Sequence, residues 1–134
     1  MSKQKVIITS GRRKRAIARL KLIPGTGMVR INGISLDTYG SELARLKIRE
    51  PLLVAGDIAT KVSLSINVQG GGVMSQVDAM RQAIGRALSE FGGERVRKLL
   101  VDYDRSFLVA DTRRKEQCKP NDSKARAKRQ KSYR

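Results

Sequence analysis

The chain has 134 residues and a formal net charge of +17, from 29 basic and 12 acidic side chains, with no histidine and a single cysteine, Cys118. The missing histidine removes the commonest general base and metal ligand, and one cysteine can form neither an internal disulfide nor, without histidine, a structural zinc site. Self-repulsion at this charge calls for a polyanionic partner, nucleic acid before an anionic membrane.

Residues 5–8 predict a first strand, broken by Gly11 and followed by the basic run Arg12, Arg13, Lys14 and Arg15. From Ala16 the pattern has period 2: Ala16, Ala18, Leu20 and Leu22 share one face, and Ile17, Arg19, Lys21 and Ile23 the other. That describes a strand half buried and half turned to an anion. Pro24-Gly25-Thr26-Gly27 is a turn sequence, and Val29 and Ile31 then alternate with Met28, Arg30 and Asn32. Residues 15–32 therefore predict a β-hairpin, closed by a turn at Asn32-Gly33. Short helices are expected over 35–55, interrupted at Pro51. Val62, Leu64, Ile66 and Val68 predict the cleanest strand. After Gly70-Gly71-Gly72, Val73, Val77, Met80, Ile84, Leu88 and Phe91 mark a helix, with Gln82 among the residues lying mostly away from that stripe. Gly92-Gly93 stops this helix, a shorter one follows over 94–101, and residues 107–109 predict a last strand. The order β-ββ-α-β-α-α-β is α+β, a single sheet packed by helices. Residues 1–112 form the expected globular body.

Residues 113–134 contain no Val, Ile, Leu or Met and carry ten basic and two acidic side chains. Such a segment cannot bury a core and is expected to order only on a partner. Residues 1–36 carry nine basic and no acidic side chains, whereas 37–112 balance at ten each. A neutral centre between two cationic ends predicts a folded body with RNA-facing extensions. The tail has cations at short intervals and one aromatic, Tyr133, which suits phosphate contact more than base stacking. Fully extended it would reach about 70–80 Å. No helix-turn-helix pattern points to duplex DNA, so threading through folded RNA is expected.

Other chemistry is weakly supported. Asp102 and Asp104 are the closest carboxylate pair, but Arg105 follows them and the setting is that of a surface turn. Cys118 lies among Lys115, Lys119 and Lys124 without a partner base. The triglycine lacks the Lys-Ser/Thr of a phosphate loop, and the dinucleotide fingerprint is missing. The triglycine is a tight turn with close backbone packing, an acceptor of RNA phosphate, or both. Arg81 and Arg86, five apart, are each either solvated or in contact with RNA. No apolar run approaches the roughly 18–20 residues that span a bilayer, and Met1 to Thr9 lacks the apolar core of a signal peptide. A cytoplasmic protein is expected, with no cofactor, metal or small-molecule substrate.

Three blocks carry a resemblance: GRRKRAIARLKLIPGTGMVRING (11–33), QGGGVMSQVDAMRQAIGRAL (69–88) and KARAKRQKSYR (124–134). In this order they resemble the family of the universal ninth protein of the small ribosomal subunit, and the ending is similar to its archaeal and eukaryotic-type branch. The short N-terminus and high charge lean to the archaeal form. Residues 118–123 stand where many members of that branch have a glycine-rich joint. The resemblance implies a fold named for the second domain of another small-subunit protein, with a βαβ unit of left-handed crossover. It implies a structural role in the head of the small subunit, beside neighbouring head proteins, and no enzymatic activity. It further implies that Arg12, Arg13, Lys14 and Arg15 bind ribosomal RNA from the body. Arg19, Arg81, Arg86, Arg113, Arg114, Lys115, Lys124 and Arg126 join them as expected ribosomal RNA contacts. The tail is implied to reach the P-site transfer RNA through Lys128, Arg129, Lys131 and Arg134, the first two lining its way through ribosomal RNA.

Overall fold

The computed structural model describes residues 5–121, 124–126, 133 and 134. Five strands form one mixed sheet: β1 (Ile7–Arg13), β2 (Ala16–Pro24), β3 (Val29–Ile31), β4 (Ile34–Ser35) and β5 (Val62–Gln69). Their spatial order is β1-β2-β5-β3-β4. β5 pairs antiparallel with β2 and parallel with β3, so β3, the helices after it and β5 make a βαβ unit. The expected α+β class and single sheet are present. The expected hairpin over 15–32 is not, because β5 lies between β2 and β3. The hairpin is instead β1–β2, turning at Lys14-Arg15 with Arg13 opposite Ala16. Gly11 does not break β1. It continues the strand at the closest approach to the long helix, where a Cβ would lie 2.0 Å from the Ala79 carbonyl oxygen.

Helix α1 (Glu42–Ala55) is capped by Ser41, whose hydroxyl accepts from the Ala44 N–H at 3.3 Å. It runs through Pro51 without interruption. That proline forgoes one helical hydrogen bond but is buried with Ala44, Ile48 and Ala55 on one stripe, and its packing outweighs the loss. Helix α2 (Asp57–Thr60) is a single turn. Helix α3 (Val73–Tyr103) contains one non-helical residue, Gly93, at φ 73° and ψ −164°. The glycine pair thus divides two helical stretches, as expected, and the second runs to Tyr103. Residues 107–109 are not a strand. A 3-10 turn at Arg105–Phe107 drives Phe107 into the core.

The core lies between one sheet face and the helices. β1 and β2 contribute Ile7, Ala16, Ala18, Leu20 and Leu22, β5 contributes Val62, Leu64, Ile66 and Val68, and α3 contributes Val77, Met80, Ala83, Ile84, Ala87 and Leu88. The small residues Ala79, Ala83 and Ala87 widen the α3 stripe and let β1 lie close. There the Thr9 hydroxyl donates to the Ala83 carbonyl at 2.9 Å, and Gln82, buried rather than turned away, accepts from the Arg12 backbone N–H at 2.9 Å. Val73, at the start of the expected stripe, is exposed.

Candidate nucleic-acid interface

Period 2 sends every second residue of each strand away from the helices. On that open face stand Ser10 and Arg12 of β1, Arg19 and Lys21 of β2, Arg30 of β3, and Ser63, Ser65, Asn67 and Gln69 of β5. No strand carries an acidic residue. The cations on this face therefore meet no opposing charge from the sheet, and their field adds. Sequence reasoning named Arg12 and Arg19 as RNA contacts, put Lys21 on the anion-facing side of its strand without naming it as a contact, and gave Arg30 no role. The signal was present, since Lys21 shares a face with Arg19 by alternation and its register partner Ser65 lies opposite Arg30.

At the end of the sheet, Lys14 and Arg15 form the exposed tip of the β1–β2 hairpin, with Lys14 at φ 52°. The triglycine packs against this tip. A Cβ on Gly70 (φ 77°) would lie 2.6 Å from the Arg15 carbonyl oxygen, and one on Gly71 (φ 65°) 3.0 Å from the Ala16 nitrogen. The loop is thus a tight turn with close backbone packing. It delivers the N-terminus of α3, which has no side-chain cap, to the same end of the molecule.

The chain after α3 returns to this end. Arg86 donates through Nε to the Leu108 carbonyl at 3.1 Å and through Nη1 to the Ser10 carbonyl at 2.8 Å. Arg13 pairs with Asp111, and its Nε lies 3.8 Å from Asp78. Asp111 also takes Arg113 at 2.8 Å, and Arg114 donates to the Lys14 carbonyl. These bonds clasp residues 108–114 onto β1 and the hairpin tip. The structure therefore brings together Arg12, Lys14, Arg15, Arg113, Arg114 and Lys115, with Arg13 beneath them. Arg19 stands further along the open face. Lys124 and Arg126 are exposed, with Arg126 held by Glu116 at 2.8 Å, and Arg134 is exposed. Lys128, Arg129 and Lys131 lie outside the described residues.

Arg81 is placed differently. Its guanidinium pairs with Glu50, reaches Asp104 at 3.5 Å and lies 4.9 Å from the centre of the Phe107 ring. It ties α1, α3 and the 3-10 turn together, and its side chain is only 16% exposed. Burial by itself would raise the Asp104 pKa. Hydrogen bonds from the Ser106 backbone and hydroxyl and the charge of Arg81 outweigh burial, and the pKa is lowered below the usual carboxylate value. Asp104 is therefore a capping carboxylate, hydrogen-bonded to the Ser106 N–H at 2.8 Å, and Asp102 beside it is exposed. Among the described residues, no three His, Cys, Asp or Glu side chains gather as metal ligands, and no helix is long and apolar enough to cross a membrane.

Comparison with known proteins fits this geometry. The family model described as "Ribosomal protein S9/S16" matches residues 11–134. The chain is 45% identical over 131 residues to the "Small ribosomal subunit protein uS9" of Pyrobaculum aerophilum, covering 97% of this chain and 92% of that one. It is 46% identical over 133 residues to the protein of that name from Desulfurococcus amylolyticus, at 98% and 95% coverage. With that of Methanococcus vannielii it shares 42% over 133 residues, at 97% and 99%. These relatives are archaeal, in line with the branch that the tail suggested. The open cationic face, the clasped tail root and near-complete coverage lead to one assignment: this chain belongs to the ribosomal protein S9/S16 family, whose members are structural proteins of the ribosome and not enzymes.

Proposed function

We propose that the chain is a structural constituent of the small ribosomal subunit, acting in the cytoplasm. In this reading residues 1–112 are the body that binds ribosomal RNA in the head, next to other head proteins. Residues 113–134 are the tail that extends to the P-site transfer RNA. The observation that carries the reading is the joining of the two basic ends. Arg114 on the Lys14 carbonyl sets Arg12, Lys14, Arg15, Arg113, Arg114 and Lys115 side by side, cations drawn from segments 100 residues apart. One polyanion can engage all of them, and each neutralised phosphate releases counterions.

Among the described residues, the side chains of Arg12, Lys14, Arg15, Arg19, Lys115 and Lys124 are free to meet phosphates directly, and Arg114 is tied to the Lys14 carbonyl through one guanidinium nitrogen. Arg13, Arg81, Arg86, Arg113 and Arg126 are engaged inside the chain, so they act on RNA mainly by positioning what surrounds them. Lys128, Arg129, Lys131 and Arg134 carry the proposed transfer RNA contact, through charge-assisted bonds to phosphates that every transfer RNA presents.

The test is sedimentation of a lysate in a sucrose gradient at about 0.5 M salt, where nonspecific polycation binding is largely lost. The protein should remain with the small subunit. Running free, or with DNA, would reject the assignment. For the tail, subunits assembled with a chain lacking residues 128–134 should bind P-site transfer RNA more weakly while sedimenting normally. Unchanged affinity would remove the transfer RNA role and leave the ribosomal one.

A further inference from the structure

β5 differs from its neighbours on the open face. Its outward side chains, Ser63, Ser65, Asn67 and Gln69, are all neutral hydrogen-bonding groups, and β5 carries no charge at all. They recur every second residue, about 6.8 Å apart along the strand. The Ser63 hydroxyl accepts from the Thr26 N–H at 3.3 Å. Among the described residues, the side chains of Ser65, Asn67 and Gln69 have no hydrogen-bond partner within the chain, and all three are exposed. Four polar groups in a row are not needed to solubilise a face that already carries cations.

The cations flank this row. β2 and β3 lie on either side of β5, and Lys21, Ser65 and Arg30 occupy one line across the sheet. Two strand spacings separate the Lys21 and Arg30 backbones, about 9–10 Å. Arg19 stands opposite Asn67 one line further on. A hollow of about 320 Å³ opens here, rimmed by Lys21, Arg30, Met28, Ser63 and Ser65. The arrangement is a row of hydrogen-bonding groups with a cation on each bank, set beside the apolar surface of Ile23, Met28 and Leu64.

We propose that this face reads double-helical RNA by its minor-groove edge, resting on the nucleic-acid reading above and narrowing it. One sugar–phosphate strand lies along β5. Lys21 and Arg30 hold its phosphates and those nearby, and Ser65, Asn67 and Gln69 hydrogen-bond the 2′-hydroxyls. A 2′-hydroxyl both donates and accepts, and so do a serine hydroxyl and a carboxamide. The wide, shallow minor groove of an RNA helix exposes those hydroxyls to a flat surface. A single strand with splayed bases would want aromatic platforms, and none of the chain's aromatic residues, Tyr39, Phe91, Tyr103, Phe107 and Tyr133, lies on a strand. Base readout in a DNA major groove would want a projecting helix or a two-stranded ribbon, whereas this surface is the broad middle of a sheet.

The experiment uses the full chain and fluorescence anisotropy against three probes of one sequence: an RNA duplex of about 16 base pairs, the matching DNA duplex and the RNA single strand. The tail binds phosphates of any of them, so the RNA-to-DNA affinity ratio isolates the face. S65A/N67A/Q69A should lower RNA-duplex affinity about tenfold or more and leave DNA-duplex affinity within about twofold. K21A/R30A should weaken both duplexes alike and reduce the salt slope by about 2, one unit per lost phosphate contact. All these side chains are exposed, so thermal unfolding of the variants should match that of the parent chain. Equal loss on RNA and DNA, or no loss, in the triple variant would overturn 2′-hydroxyl reading. Tighter binding to the single strand than to the RNA duplex would overturn the double-helix assignment. Neither outcome touches the ribosomal reading, which the high-salt sedimentation decides separately.

Discussion

The arginines of this chain do two kinds of work, and neighbouring residues decide which. Arg19 and Arg30 stand on strands without acids and face outward. Arg81 meets Glu50, Asp104 and the Phe107 ring. Its type and its helical position were legible in the sequence, but its partners were not, because they lie 31 and 23 residues away. R81A should lower unfolding free energy by about 1.5–3 kcal/mol in urea titrations, the range for hydrogen bonds to charged groups, and R81K should recover only part, since lysine lacks the planar fork. The Asp104 pKa is lowered in the folded chain. Its contribution to stability is therefore present above the unfolded-state pKa and is lost as pH falls through the folded value. D104N should be less stable than the parent chain at neutral pH, and the difference should shrink on acidification in denaturant titrations from pH 7 to 3. A constant difference would mean that the carboxylate charge plays no part. Phe107 was expected on a strand and is instead a core plug beneath the 3-10 turn. F107A should cost about 3–5 kcal/mol.

At the scale of elements, periodicity served well wherever one face is buried. The alternation over 16–23 and 62–68 gave both the strands and their buried sides, and Gly92-Gly93 gave the break in α3. Pairing was not legible, because period 2 says which way a side chain points and not which strand lies beside it. Pro24-Gly25-Thr26-Gly27 invited a hairpin. The chain instead leaves β2 there and crosses to β3, with β5 taking the place between them. A turn motif reports a change of direction only. Gly11 was misread for a related reason, since a glycine inside a strand marks either a break or a close approach, and only the position of α3 distinguishes the two. A methyl at residue 11 would meet the Ala79 carbonyl oxygen. G11A should therefore destabilise by about 1–3 kcal/mol or more through forced separation of β1 from α3, read as a lowered midpoint of thermal unfolding. An unchanged midpoint would mean that the strand can shift freely over the helix.

For the molecule as a whole, the +17 charge is spread over an open sheet face, a hairpin tip and a tail, while the helical side is close to balanced. Sequence found the two basic ends but not their contact, which depends on the clasp from Arg86 to Leu108, Arg13 to Asp111 and Arg114 to Lys14. Removing one member should loosen that join without unfolding the core. Amide hydrogen exchange in R86A should rise over residues 108–114 and stay slow in β5 and α3. Uniform acceleration would mean that Arg86 supports the whole fold. Raising salt should weaken RNA binding by the full chain steeply, because many cations act together.

The clasp also sets the length of a leash. With Arg114 held at Lys14, twenty residues separate that anchor from Arg134, so the Arg134 backbone can lie no farther than about 66–72 Å from the Arg114 backbone. Paying out the chain from Asp104 instead would add ten residues, about 33–36 Å, and move the origin of the search away from the hairpin. Whatever RNA seats the hairpin therefore also fixes the centre of the sphere within which the last residue can work.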